Sequence, residues 1–409
     1  MDRRTLLKLM AAATLAGTTS PIIAAKPAQG KKVLVVGAGI VGASIAYHLA
    51  KAGADVTIID AKSPASHASQ GTFAWINATW AKQPRAYHAF NQESVSGWGE
   101  LQKELGLNIR WGGSLEWFSS EARQEKLEQQ IAEQVAWGEP AKMLAASAFE
   151  RQEPHVNFHG PSRVAFSPND GAIDPVAATK ALLSGAKNLG ATLKYPCKLL
   201  ELTYTGGRLS GAETNMGTFV ADKVVLATGA APDTATQFAG IDLPQRSTPG
   251  VIAITKPMPQ LLNGVISAPG VHMHQRNDGR VVLGEQGGPP KNDAHRMRLQ
   301  GRPNAFPSVA LSTEHAKRIL TVAEQFCPKL AGAEFEGVHI GWRPLPLDGH
   351  PVLGLSPERP DVYLAVMHSG VSLAPIVGQL AAHELMSGNT VARLDAYRPD
   401  RHFEHVKRY

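Results

Sequence analysis

The sequence predicts an α/β protein whose two domains are interleaved along the chain, on three observations. A short apolar run at residues 33–36 opens directly into Gly37-Ala38-Gly39-Ile40-Val41-Gly42 and then into a helical pattern. After a long excursion, "DKVVLATGAAPD" (222–233) reads as another buried strand of a parallel sheet. Residues 248–335 are instead β-rich, with "GVIAITK", "GVHMHQR" and "GRVVLGEQ" in succession. Strands alternating with helices favour a parallel sheet, and a block of consecutive strands favours a second layer.

The chain has 409 residues, enough for two to three domains and a substantial core. Its 43% apolar and 19% charged residues exclude a disordered or fibrous protein. No run of about eighteen apolar residues follows residue 30, so the body holds no predicted integral membrane segment. The formal charge is +6, part of it from Arg3, Arg4 and Lys8 near the N-terminus. No Lys/Arg run gathers the rest into a nucleic-acid stripe, and no nucleic-acid partner is expected. The two cysteines, Cys197 and Cys327, fit no haem or zinc spacing. In an exported protein they could pair, but separate burial as small apolar residues is the favoured reading.

Residues 1–25 have the order of a leader. Asp2-Arg3-Arg4-Thr5-Leu6-Leu7-Lys8 matches a twin-arginine pattern, a weakly apolar Ala/Leu/Thr/Gly segment follows, and Ile23-Ala24-Ala25 offers small residues for cleavage. The expected destination is the periplasm.

The first βαβ unit is read residue by residue. Gly37 permits a tight turn, Gly39 lets backbone approach a pyrophosphate, and Gly42 allows close packing of helix on strand. Ile40 and Val41 open the helix, whose N-terminal N–H groups face an anion. Val41, Ile45 and Leu49 recur at four-residue spacing, and Gly53 stands where a C-terminal cap belongs. The second strand (56–59) ends at Asp60, which would accept hydrogen bonds from an adenosine ribose and repel a 2′-phosphate. That disfavours NADP without separating NAD from FAD. The unit is of the Rossmann type.

Next, "SPASHASQGTFAWINATW" (63–80) has the small and hydroxylic composition of a loop. Residues 85–165 mix amphipathic helix, such as 121–137, with strand-like "SLEWF". Asp174 suits an N-cap and Pro175 the first helical position, with Leu182, Leu183 and Ala186 on one face and Gly190 as the stop. The chain closes with "GVHIGWRPLPLDGHPVLG", the strand-like "DVYLAVMH", and a helix with Ile376, Val377, Leu380 and Leu385 inward, Pro375 early and Gly388 ending it.

Taken in order, five signals resemble the D-amino-acid oxidase-like family of FAD-dependent oxidoreductases, the group that includes glycine oxidase, sarcosine oxidase and D-amino-acid dehydrogenase. They are the N-terminal βαβ with its acidic residue and Ser/Gly-rich loop, "DGAIDP", "VVLATGA", "GWRPLPLDGHPVLG", and the His368-Ser369-Gly370 turn. The resemblance spans residues 33–388. It implies a Rossmann-type FAD-binding domain (31–85, 166–247 and 336–400) interleaved with a substrate domain on a mixed β-sheet (86–165 and 248–335).

Carried onto this sequence, Gly37, Gly39, Gly42 and Asp60 would hold the ADP half of FAD. Ser69, Gln70 and Gly71 would meet the pyrophosphate and flavin, and Leu199 would lie near the adenine. Ala227, Thr228 and Gly229 would form a second dinucleotide contact, and Gly370, Val371 and Leu373 would border the flavin pyrimidine. Arg343 matches the position that grips the substrate carboxylate in glycine oxidase-like members, and His272 falls near a substrate-facing tyrosine. Met367 stands where the family usually has Gly. Members with covalent flavin carry a cysteine where this chain has Gly341, so non-covalent FAD is expected.

The expected chemistry is oxidation of the C–N bond of an amino acid or secondary amine acid by hydride transfer to flavin N5, with the imine then hydrolysed. Oxygen or a quinone-linked acceptor would take the electrons. Alternatives are a 2-hydroxy-acid oxidoreductase on the same fold and a non-catalytic flavin-containing binding protein. Arg343 suits the carboxylate because a guanidinium donates two parallel hydrogen bonds to it. His272 and His274 alternate on one strand and share a face. They are candidate pocket residues, half of a metal site, or part of a polar outer face; without a third ligand at metal spacing, no metal is expected. His48 is expected to be structural.

A leader and a cofactor fold explain each other if export follows folding, as the twin-arginine route allows. Replacing Arg3 and Arg4 together by Lys should therefore strand folded, yellow precursor in the cytoplasm. Undiminished periplasmic yield from that variant, measured by fractionation, would refute the leader assignment.

Overall fold

The run at residues 33–36 lies within the strand Lys32–Val36, at the middle of a six-stranded sheet. It pairs in parallel with Asp55–Ile59 on one side and Lys223–Leu226 on the other, placing Val35 opposite both Ile58 and Val225. Thr192–Lys194 extends the sheet beyond Asp55–Ile59, and Val362–Val366 beyond Lys223–Leu226, both in parallel. Val352–Leu355 closes that edge antiparallel. The computed structural model describes residues 30–77, 82–231, 233–286 and 301–406. The predicted leader lies outside the described residues.

Burial explains why these strands read as unbroken apolar runs. Val33 and Val35 join a core beneath the helices, whereas Leu34 and Val36 join a second core on the opposite face. A strand covered on both faces has no polar side to display. The first face carries the helices Ile40–Lys51, Arg85–Leu105, Pro175–Asn188 and Gly370–Ser387. The second is covered by a three-stranded meander, Leu199–Thr205, Arg208–Thr214 and Gly217–Val220, and by the π-helical turn Ala235–Ala239. The predicted helix starts hold: the Asp174 carboxylate accepts from the N–H groups of Val176 and Ala177, with Pro175 next in line.

An eight-stranded mixed sheet forms the other layer. Its order is Phe335–Pro346, Gln245–Thr255, Val281–Gly284, Val271–Gln275, Val265–Ala268, Ser114–Glu116, Arg163–Ser167 and Lys142–Ala145. Val265–Ala268 and Ser114–Glu116 are the parallel pair; the others run antiparallel. Phe335–Pro346, which carries Arg343, lies in this sheet and pairs along most of its length with Gln245–Thr255.

Two points depart from the expectation. The stretch 248–335, read as β-rich, also contains the helix Val309–Phe326. Ser308 caps it by accepting from the Leu311 N–H, and Ala316, Ile319, Leu320 and Ala323 bury one face against the sheet. The final helix begins at Gly370, so Pro375 lies early inside it, as expected, in its second turn. Proline has no N–H to give the carbonyl of Val371 one turn back; the buried indole of Trp98 donates to that oxygen instead, at 2.8 Å. Leu380 is only half-buried in this helix. Cys197 and Cys327 are separate buried thiols, and burial pushes the Cys327 thiol up to about 11. His48 is buried, with Nδ1 2.8 Å from the Ser44 carbonyl oxygen. Among the described residues, no helix is long and apolar enough to cross a membrane.

Candidate active site

A cavity of about 1360 Å³ runs between the six-stranded and eight-stranded sheets. The turn after Lys32–Val36 forms one wall. Gly37 adopts φ 107°, and a Cβ there would lie 2.4 Å from the carbonyl oxygen of Ala227. A Cβ on Gly42 would lie 1.9 Å from the carbonyl oxygen of Gly37. Gly42 therefore does not line the cavity; it lets the helix start sit against the turn that does. The first N–H groups of a helix have no acceptor within it. Ser69 Oγ takes that of Ile40 at 3.0 Å, leaving that of Val41, which lines the cavity, for an anion.

Asp60 lines the same wall. Its carboxylate accepts from Ala38 N and Lys62 N, each at 2.8 Å, which fixes the loop that follows. Gly39, Ile40, Val41, Ser69, Gly71, Leu199, Ala227, Thr228 and Gly229 also line the cavity. Gln70 does not; its N–H turns back to the His67 carbonyl. Gly370 and Val371 open the final helix onto the cavity, after Ser369 in a left-handed conformation of φ 60°. Leu373 lies beneath them, fully buried in the helical core.

The opposite wall is the face of the paired strands Gln245–Thr255 and Phe335–Pro346. Arg343 stands across from Thr248 and lines the cavity, with Nη2 donating to the Pro249 carbonyl at 3.1 Å. Gly341, across from Gly250, packs on the Gly71 backbone, where its Cβ would lie 2.7 Å from the Gly71 carbonyl oxygen.

The two histidines share a face, as alternation predicts, yet only His272 reaches the cavity. Burial, with Arg123 and Arg343 adding to it, holds the His272 imidazole down to about 4, so it is neutral near pH 7. Among the described residues its Nε2 has no hydrogen-bond partner. His274 is fully buried, its Nε2 donating to the Phe73 carbonyl at 2.8 Å with the Phe73 ring edge-on at 4.7 Å. Burial holds it down to about 3. Neither histidine belongs to a polar outer face, and His274 is walled off from the cavity by Phe73. Among the described residues, no three His, Cys, Asp or Glu side chains are grouped to hold a metal.

Sequence reading missed several cavity residues. Phe73 and Trp75 place their rings 5.5 and 5.8 Å from His272. The alternation in "TFAWI" was the available signal, concealed in a loop-like composition. Arg246 and Thr248 line the cavity two residues apart, just before the apolar run "VIAIT". Ser372 bridges the walls of the 75–77 segment, accepting from Asn77 N and donating to the Trp75 carbonyl.

These residues fit FAD. Bare helix N–H groups, a ribose-compatible carboxylate and side-chain-free turns line one wall. Thr248 Oγ1, Arg246 Nε and His272 Nε2, buried without hydrogen-bond partners, lie on the other. Buried polar atoms of this kind normally find a partner, here within the cavity itself.

Comparison with known proteins agrees. Residues 32–384 match the family described as FAD dependent oxidoreductase. Glycine oxidase from Bacillus licheniformis is 27% identical over 386 residues, covering 90% of this chain and 96% of that protein. Glycine oxidase from Geobacillus kaustophilus is 25% identical over 391 residues, covering 91% and 98%. In fold, the crystal structure of glycine oxidase from Geobacillus kaustophilus has a TM-score of 0.79 at 22% identity, covering 91% of this chain and 100% of that one. L-proline dehydrogenase from P. horikoshii has a TM-score of 0.77 at 23% identity, covering 91% and 97%.

The close approach at Gly42 makes a prediction. Gly42→Ala must push the helix start off the Gly37 turn, so FAD retention should weaken by at least about tenfold. Flavin absorbance per mole of purified protein measures this, and a variant as flavin-replete as wild type would show that the approach is not required.

Proposed function

This chain belongs to the FAD-dependent oxidoreductase family, and from that premise we propose that it oxidises the C–N bond of an α-amino acid or secondary amine acid. The observation behind the proposal is Arg343 on the wall of the cavity that the start of the final helix also lines. FAD, when bound, supplies the two-electron acceptor for hydride removal from the carbon bearing nitrogen.

The chain's own residues orient and shield. Arg343 holds the substrate carboxylate through a two-pronged, charge-assisted contact, fixing which C–H bond faces the cofactor. His272, neutral near pH 7, offers a hydrogen-bonding nitrogen without repelling a cation. Phe73 and Trp75 exclude water beside it. The N–H groups at the start of the final helix favour negative charge placed against them, as does the helix dipole. Water completes the reaction by hydrolysing the imine product to a carbonyl compound and an amine.

FAD is held without a covalent bond. The position of the family's linking cysteine is Gly341, whose Cβ direction is filled by Gly71 backbone. Oxygen or a quinone-linked carrier is the proposed electron acceptor. The proposed location is the periplasm, on the strength of the leader sequence alone.

Two measurements test these points. Acid precipitation should leave a colourless pellet and release all flavin as FAD; a yellow pellet would overturn the non-covalent assignment. Arg343→Ala removes a charge-assisted fork of about 3–5 kcal/mol, so kcat/KM for carboxylate substrates should fall by about two to four orders of magnitude. Arg343→Lys should recover only part, because charge returns without the fork. A flavin-replete Arg343→Ala enzyme with near-normal kcat/KM would overturn the carboxylate role.

A further inference from the structure

The sheet face that carries Arg343 carries a second arginine. Thr248 stands directly opposite Arg343, and Arg246 lies two residues back along the same strand, opposite Leu345. Residues two apart on a strand share a face. Arg246 and Arg343 are therefore diagonal neighbours, roughly 7–8 Å apart at the backbone, with the Thr248 hydroxyl beside both. All three side chains line the cavity.

Among the described residues, Arg246 has no counter-ion. Its Nε is buried without an acceptor, and no carboxylate pairs with its guanidinium among the described residues. The cavity's two described acids are engaged elsewhere: Asp60 holds the N–H groups of Ala38 and Lys62, and Glu285 pairs with Arg318. Among the described residues, the buried Thr248 hydroxyl also has no partner. A half-buried guanidinium facing a cavity loses hydration and gains no Coulombic return until an anion enters.

A single α-carboxylate answers only one of the two cations. With Arg343 holding that group as proposed above, we infer that the substrate carries a second carboxylate, held by Arg246 with Thr248 donating between the two sites. The substrate class is thus a dicarboxylic amino acid or an N-carboxyalkyl amino acid. The rival occupant for Arg246 is the cofactor pyrophosphate, although the helix N-terminus offered to that group belongs to the opposite wall.

The test uses the FAD-loaded enzyme and inert probes, so it does not depend on turnover. Binding of acetate, malonate and succinate is followed by perturbation of the flavin absorption spectrum in wild type, Arg246→Ala and Arg246→Lys. Wild type should bind at least one dicarboxylate about tenfold or more tighter than acetate. Arg246→Ala should remove most of that preference, a loss of about tenfold, and Arg246→Lys should restore part of it. Turnover of aspartate enantiomers and N-carboxymethyl amino acids against glycine and sarcosine should show the same Arg246-dependent ratio.

Equal binding of mono- and dicarboxylates by wild type, or equal losses on both in Arg246→Ala, overturns the inference. Flavin lost from Arg246→Ala during purification also overturns it, assigning the residue to the cofactor. Should dicarboxylates bind preferentially through Arg246 while no amine acid reduces the flavin, the second carboxylate site stands and the C–N reading fails.

Discussion

At two places backbone meets backbone with no room for a Cβ, and the walls of the cavity depend on both. At the first, Gly42 and Gly37 let the start of the helix Ile40–Lys51 settle against the turn, while Gly37 packs on Ala227 of the neighbouring strand. Two chain segments distant in sequence thereby bring unpaired N–H groups and side-chain-free turns to one wall. At the second, Gly71 abuts Gly341, joining the loop after the first βαβ unit to the edge of the eight-stranded sheet. Side chains at either contact would force the segments apart by more than packing can absorb, because protein interiors have almost no slack.

Electrostatics follow from that frame. Two helices, starting at Ile40 and Gly370, present their N-termini to a single cavity, and the sheet wall adds Arg246 and Arg343. Negative charge is favoured on both sides. Burial keeps His272 and His274 neutral, so the histidines add hydrogen-bonding capacity without further positive charge. The cavity suits an anionic cofactor together with an anionic substrate.

The final helix shows how distant residues maintain such an end. Pro375 removes a donor that the Val371 carbonyl needs, and Trp98, from the helix Arg85–Leu105, supplies it. Ser44 likewise donates to the Ala374 carbonyl at 2.6 Å. These contacts tie the helix that opens on the cavity to two others, so its N-terminus is held by packing that begins far from the site.

By itself the sequence determined the parallel sheet, the glycine turn and the carboxylate at Asp60, because those signals are local: strand, turn and helix follow within one stretch, and each glycine answers a backbone demand nearby. It also placed Arg343, through a motif read as a unit. Other features were decided only in three dimensions. His272 and His274 look equivalent at two-residue spacing, yet Phe73, from a distant loop, takes one and leaves the other to the cavity. The helix Val309–Phe326 was concealed by strand-like neighbours, and the donor that answers the Val371 carbonyl in place of Pro375 comes from another helix. Arg246 carried no local signal, since what sets it apart is that no acid among the described residues pairs with it, and tertiary packing alone decides which side chains become neighbours.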